Sequence, residues 1–444
     1  MKELRYKGPY TLKLAVSITE FSPAQWNSLT MEESGSQPET GSQLKLETLP
    51  FLEWEWLAAL ETSGSAGPES GWHPLHLSLW NSGKLLAAAP LYLKYHSDGE
   101  FVWDYFWAEA AASMGRSWYP KLVGTVPATP AEGYRFLFAR DEDPIPLNRV
   151  LLDAAEGLCR NNGIRGLHLL FTDPAWASWP GSLAERRYSP WKHSRFAWKN
   201  ALPGARDGRG FTDFGEYLAC FNKNQRKNIR KEYHRHGEQG IGLRIVEGKD
   251  AGPEYFDRIF KLYSLTNDKF MPWDARWVNE AFFRRIAESF RHRTVFSEAF
   301  WENPSSAAGL TTAAPKHPAG STLALAMMFR RGGKIWGRYW GTLEDMKDLH
   351  FAVCYYAPME YCIREGIAYF DPGIGSPHKI RRGFRAGFDV SYHRFFDPPL
   401  ENLFRTNIGA INRYEEGSIA ALNAELPFKA AIPGVEFCAA NLRR

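Results

Sequence analysis

Three segments of this 444-residue sequence hold residues whose types and spacing suit them to chemistry. The first is Asp371-Pro372-Gly373-Ile374-Gly375-Ser376-Pro377-His378-Lys379-Ile380-Arg381-Arg382-Gly383-Phe384, which sets an acid, an imidazole and three cations in a glycine-bearing stretch. Its glycines allow close backbone approach, His378 or Asp371 could take up a proton, and Lys379, Arg381 or Arg382 could stabilise an anionic oxygen. A basic connection between strands is the ordinary alternative.

The second segment is the densest basic run, in which Lys223, Arg226, Lys227, Arg230, Lys231 and Arg235 stand against Glu232. On one helix, Phe214, Leu218, Phe221, Gln225, Ile229 and Tyr233 form an approximate apolar stripe beside which Arg226 and Arg230 point together. Such a surface suits a pyrophosphate or an RNA backbone, and it also suits a merely solvated helix face. The third segment places His96, Glu100 and Asp104 among aromatic residues, with Lys121 following. These could supply a base or position an amine by carboxylate hydrogen bonding, although Asp98-Gly99 equally suits a simple turn.

The elements that must hold these groups follow from pattern. Ser22-Pro23 reads as a helix start that buries Trp26 and Leu29, a polar loop follows over 32–43, and a second helix is predicted over 52–61. Alternation over 73–80 and 85–94 around Asn81-Ser82-Gly83-Lys84 predicts a hairpin. A helix over 150–160 then leads through Gly163 into a buried strand over 164–171. Helices are expected near 254–265, 276–289 and 351–364, and strands over 295–300, 322–329, 334–340 and 366–370. The junction Cys159 to Ile164 is similar to Cys362 to Ile367, each a helix end meeting glycine before a strand, which suggests two related halves.

Length and composition agree with two cores, since a single core seldom grows past roughly 250–300 residues. The expected division is 1–205 and 206–444, with a break over 200–210 and a second Pro/Gly-rich stretch over 304–320. A net charge of +4 is only mildly basic and does not by itself demand nucleic acid. Five cysteines, at 159, 220, 354, 362 and 438, lack CxxC spacing, so neither a disulfide scaffold nor a metal site is expected. The longest apolar runs are strand-sized and the first twenty residues hold no signal-like core, so a cytoplasmic chain without a transmembrane segment is expected.

Several motifs taken together resemble a bacterial family of peptidoglycan-biosynthesis-like proteins related to the FemAB aminoacyltransferases and the GNAT acyltransferases. They are Ser22-Pro23 with Trp26-Asn27, Gly71-Trp72-x-Pro74-x-His76-Leu77, Pro90-Leu91-Tyr92-Leu93-Lys94, Tyr119-Pro120-Lys121-Leu122 and Lys223-x-x-Arg226-x-Asn228-Ile229-Arg230-Lys231. The resemblance implies an α+β chain of tandem GNAT-like domains, each a mixed, mostly antiparallel sheet flanked by helices. It also implies acyl or aminoacyl transfer to an amine acceptor without a resident cofactor. Aminoacyl-tRNA or acyl-CoA is then the donor, and a cell-envelope precursor or a small amine the acceptor. RNA or anionic-ligand binding without catalysis is the alternative from another class.

One departure matters. Where close members carry Gln-Gly-Glu-His-Lys ahead of Arg-Gly-Phe, this chain has Ser376-Pro377-His378-Lys379 ahead of Arg382-Gly383-Phe384. Pro377 removes a carboxylate and a backbone donor together, leaving His378 as the substitute base. No Arg or Gln in this loop is followed by the glycines of an acetyltransferase pyrophosphate cradle.

Overall fold

The computed structural model describes residues 1–30, 48–202, 208–269, 276–302, 318–375 and 377–429. It is an α+β chain with mostly antiparallel sheets flanked by helices, as expected. Two compact units emerge: Met1–Ser194 with Trp277–Ser289 and Phe388–Gly417, and Arg195–Arg276 with Phe290–Gly387 and Ser418–Arg444. The expected loop over 32–43, most of the break over 304–320, Ser376 and Cys438 fall outside the described residues.

In the first unit, strand His76–Asn81 pairs antiparallel with Lys84–Ala89, as the hairpin pattern predicts. The second arm is not one strand, however. Pro90, which cannot donate to a ladder, separates Lys84–Ala89 from Leu91–Lys94, and the two pieces join different sheets. Leu91–Lys94 pairs with Lys121–Gly124, which runs parallel to Gly166–Leu169 after the crossover helix Pro144–Asn161. That helix turns over its buried Leu147, Leu151, Leu152, Ala155 and Cys159 and ends where Gly163 takes a φ of +67°. The Ile164 N–H then donates back to the Cys159 carbonyl at 3.1 Å. Trp107, Trp118, Trp191, Phe395 and Phe404 fill one core of this unit.

The second unit repeats the construction. Strands Ile241–Glu247, Thr294–Trp301, Thr322–Arg331 and Lys334–Thr342 are antiparallel neighbours, and Lys334–Thr342 then pairs parallel with Tyr369–Asp371. Helix Ala357–Arg364 makes the crossover and Gly366, at φ +65°, lets it turn, with the Ile367 N–H on the Cys362 carbonyl at 2.8 Å. The register of the third and fourth strands slips between Met327–Tyr339 and Met328–Gly337, so Arg338 is the extra residue of a β-bulge.

The helix expected at Ser22-Pro23 is present as Pro23–Ser28 and buries Trp26 and Leu29, although the Ser22 side chain makes no cap bond. One local expectation is corrected. The stripe from Phe214 to Tyr233 is not one helix: Phe214–Ala219 ends near Cys220, and Asn222 caps a new helix, Lys223–Glu238, by accepting from the Gln225 N–H at 2.9 Å. Its apolar members still meet, with the Phe214 and Tyr233 rings 5.4 Å apart. Among the described residues, no helix is long and apolar enough to cross a membrane, and no cluster of metal-ligating side chains forms.

Candidate functional site

In the second unit, strand Tyr369–Asp371 delivers Asp371 to the place where the bulge presents Arg338. The Arg338 guanidinium meets Asp371 Oδ2 at 3.2 Å, while Asp371 Oδ1 accepts the Gly373 N–H at 2.7 Å. A bulge re-aims one side chain of a strand, and here it sets a cation against the carboxylate that shapes the following loop. The loop folds over Lys379, whose Nζ donates to the Gly373 carbonyl at 2.6 Å and whose side chain is only 1% exposed. Gly375 leaves room for this closure, since a Cβ there would lie 2.2 Å from the Lys379 Nζ and would push the ammonium aside. Burial lowers the Lys379 pKa to about 8, with Asp371 pulling the other way.

His378 is half-buried, with Nε2 3.1 Å from the Tyr355 hydroxyl. Burial holds its pKa below the usual imidazole value, and the cations Arg382 and Lys379 push in the same direction. It is therefore mostly neutral at pH 7 and able to accept a proton. Tyr355 belongs to a π-helical turn, Ala352–Tyr356, inserted ahead of the crossover helix.

The basic helix Lys223–Glu238 docks on this loop. Gln225 Nε2 donates to the Arg381 carbonyl at 2.7 Å, and Glu232 Oε2 meets the Arg382 guanidinium at 2.9 Å. Lys223, Lys227, Arg230 and Lys231 are exposed, and Arg226 is half-buried. None of these five side chains makes a hydrogen bond or ion pair to a described residue. Arg381 is also exposed. Arg382, by contrast, is spent internally: its guanidinium lies 3.3 Å over the Phe351 ring and donates to the His378 carbonyl at 2.9 Å. Arg235 is likewise taken, by Asp348 at 2.7 Å.

In the first unit, three of the four sequence candidates meet. Lys121 is fully buried, and its Nζ donates to Asp104 Oδ2 at 2.6 Å, Glu100 Oε2 at 2.8 Å and Ser97 Oγ at 2.7 Å. Trp118 Nε1 also donates to Asp104 Oδ2, at 2.9 Å. Burial opposes the Lys121 charge, but Asp104 and Glu100 outweigh it and raise its pKa. Burial also lifts Glu100 to about 7. Asp104 is held low despite its burial, because Lys121 faces it. His96 stays outside this cluster, 40% exposed and 3.5 Å from Asp98.

Four participants were not singled out from sequence as site residues: Arg338, Gln225, Tyr355 and Lys94. Gly337, a glycine inside a strand pattern, is the signal that could have marked the bulge at Arg338. Lys94 is fully buried, donates to the Asp98 carbonyl at 2.7 Å and lies 3.5 Å over the Trp72 ring, and burial lowers its pKa to about 7.

No curated protein sequence matches the chain. Among solved structures it is similar to FemX at 13% identity, covering 86% of this chain and 98% of that one, with a TM-score of 0.48. A tandem GNAT protein from the clavulanic acid biosynthesis pathway is similar at 11% identity over the same shares, with a TM-score of 0.39. L-PGS from Bacillus licheniformis is similar at 9% identity, covering 84% of this chain and 96% of that one, with a TM-score of 0.41. At such distances these likenesses carry neither substrate nor reaction. Residues 17–430 match the FemAB-like family, described as peptidoglycan biosynthesis/recognition, and the chain belongs to that family.

Proposed function

We propose that this chain transfers an aminoacyl group from an aminoacyl-tRNA to an amine of a peptidoglycan precursor, with the Asp371–Arg382 loop at the reacting centre. The observation that carries this reading is the row of exposed cations Lys223, Lys227, Arg230 and Lys231, unpaired among the described residues, on a helix bonded directly to that loop. Exposed cations spaced along several turns match the repeated phosphates of a nucleic acid. In the transfer, the acceptor amine attacks the ester carbonyl of the donor. His378 takes the amine proton, Lys379 supports the oxygen that gains charge, and as the bond to the ribose oxygen breaks His378 returns that proton to it, releasing the tRNA as its free hydroxyl. Asp371 is committed to Arg338 and the Gly373 N–H, so its part is to position the loop.

Acyl-CoA suits these units less well. The crossover helix of the first unit opens with Pro144 and Pro146, which lack N–H groups, and Asp143 already occupies the Ile145 N–H at 3.0 Å.

Recognition without turnover is a second reading, favoured by one observation: the Lys379 ammonium is sealed beneath its own loop. Reversing Lys227, Arg230 and Lys231 to Glu tests the donor surface. Charged-tRNA affinity, followed by fluorescence anisotropy over a salt series, is expected to fall at least tenfold at moderate salt. The log–log salt slope should shrink by roughly 0.7–0.9 for each phosphate left without its cation. Unchanged affinity and slope would remove the helix from the donor site.

A further inference from the structure

Three buried histidines of the first unit take no part in the transfer. His168, on strand Gly166–Leu169, stands opposite His393 of strand Arg385–Phe395, and His193 lies on the neighbouring strand Ser189–Lys199. His168 and His393 are each 1% exposed, and their Nδ1 atoms meet at 2.7 Å. Such a contact holds a single hydrogen, so one imidazole donates and the other accepts. The donor's Nε2 is then a lone pair and the acceptor's an N–H. Both are buried without a hydrogen-bond partner among the described residues, as is Nε2 of His193.

Packing alone does not call for this pair. Its walls are aromatic rings: by centroid, Phe395 lies 5.2 Å from His168, with Phe404 5.0 Å and Trp191 5.6 Å from His393. Two apolar side chains of the same shape would fill that space without stranding a lone pair and an N–H. Besides one another, the charged side chains that the imidazoles face are Lys121 and Asp104. Burial keeps all three histidines neutral near pH 7, His193 with its pKa lowered to about 3. Lys121 also opposes a proton on His168 and His393. Asp104 favours one on His193 and His393, but it is already bonded to Lys121 and Trp118. Glu100, the other carboxylate on Lys121, is lifted to about 7 and so carries little charge in acid.

We propose that the His168–His393 pair, flanked by His193, is an acid-sensitive clasp: it fastens residues 166–169 to residues 392–395 while its imidazoles are neutral, and their protonation opens that pairing. Full protonation would place two buried cations side by side with only Asp104 near to offset them. In an opened pairing the imidazoles meet water and take up protons below their ordinary pKa of 6.5, whereas in the closed one they stay neutral. The open form therefore binds more protons in acid, and the pairing loses stability as pH falls below about 6.5. The clasp does not depend on the transfer reading.

Hydrogen exchange of the full chain, read by mass spectrometry from about pH 7.5 down to about pH 5, tests the clasp, with the double variant His168→Leu and His393→Leu as the comparison. After correction for intrinsic exchange, protection over residues 166–169 and 392–395 should fall more steeply in the wild type than in the double variant. The difference should approach about 100-fold per pH unit below about pH 6, tenfold for each of two protons. Should the double variant fail to fold, nitrogen-15 spectra of the histidines in the wild-type protein decide. His168 and His393 should then stay neutral, sharing one hydrogen, down to the pH at which protection is lost. Protonation of the pair near its ordinary pKa with both strands still protected, or a wild-type pH dependence no steeper than the variant's, would overturn the proposal.

Discussion

Replacing Lys121 with methionine is expected to destabilise the first unit by about 3–5 kcal/mol, the usual cost of stranding a buried charge. Lys121 is the common donor to Asp104, Glu100 and Ser97, and all of its atoms are shielded from solvent. Removing it leaves the ionised Asp104 and the partly ionised Glu100 buried without the ammonium bonded to both. Urea unfolding at pH 7 measures the loss, and adding Glu100→Gln and Asp104→Asn should restore much of it. A loss below about 1 kcal/mol would mean that the cluster holds no net charge to strand.

The same cluster gives stability a pH dependence of mixed sign. Glu100, raised from 4.5 to about 7, binds more protons folded than unfolded, so its contribution falls as pH climbs from about 4.5 through 7. Lys94, lowered from 10.5 to about 7, binds fewer protons folded than unfolded above that point. Its penalty is therefore relieved as pH rises from about 7 toward 10.5.

The largest expected effect on turnover is at Lys379. Lys379→Met should lower kcat by a factor of about 10²–10³, as removal of an oxyanion donor typically does, and Lys379→Arg should recover little because the fork does not fit beneath Gly373 and Gly375. With the Lys379 pKa at about 8, the cationic form that supports an oxyanion is lost above that pH, so activity should fall on the alkaline side. On the acid side activity should rise through the lowered His378 pKa, below 6.5. A purely structural Lys379 would shift the unfolding midpoint without giving kcat an alkaline limb near pH 8.

Much of this arrangement was legible in the residues, and the exceptions have physical causes. Strands over 322–329 and 334–340, observed as Thr322–Arg331 and Lys334–Thr342, announced themselves because apolar and aromatic residues in strand-length runs flank the Gly332-Gly333 turn. Gly163 and Gly366 marked both crossover ends, because only a left-handed residue lets a helix turn straight into a strand. The stop at Cys220 was invisible to periodicity: the apolar stripe continues across it, and the Asn222 cap competes locally with continued helix. The split at Pro90 was a chemical signal overridden by an unbroken apolar run.

At the site, the grouping of Asp371, His378 and Lys379 came from adjacency in sequence. Arg338 came from a bulge, and Gln225 from a tertiary bond whose partner is a carbonyl rather than a side chain. No spacing rule reports a bond to backbone. Arg382 looked like a free cation in sequence because Glu232, which neutralises it, lies 150 residues earlier. Helix Glu280–Ser289 packs in the first unit, where Phe282 meets Trp56 with ring centroids 5.2 Å apart, another pairing fixed only by the folded chain.

The central claim is aminoacyl transfer from a charged tRNA at the loop of the second unit. Its most direct test is a single-turnover assay with tRNA carrying a radiolabelled amino acid, an amine-bearing peptidoglycan precursor, and labelled acetyl-CoA in a parallel reaction. The account predicts precursor-dependent movement of label from tRNA to the precursor, lost in His378→Ala protein that still binds the tRNA. Label moving from acetyl-CoA while charged tRNA stays inert, or no transfer from either donor despite tight tRNA binding, would contradict it.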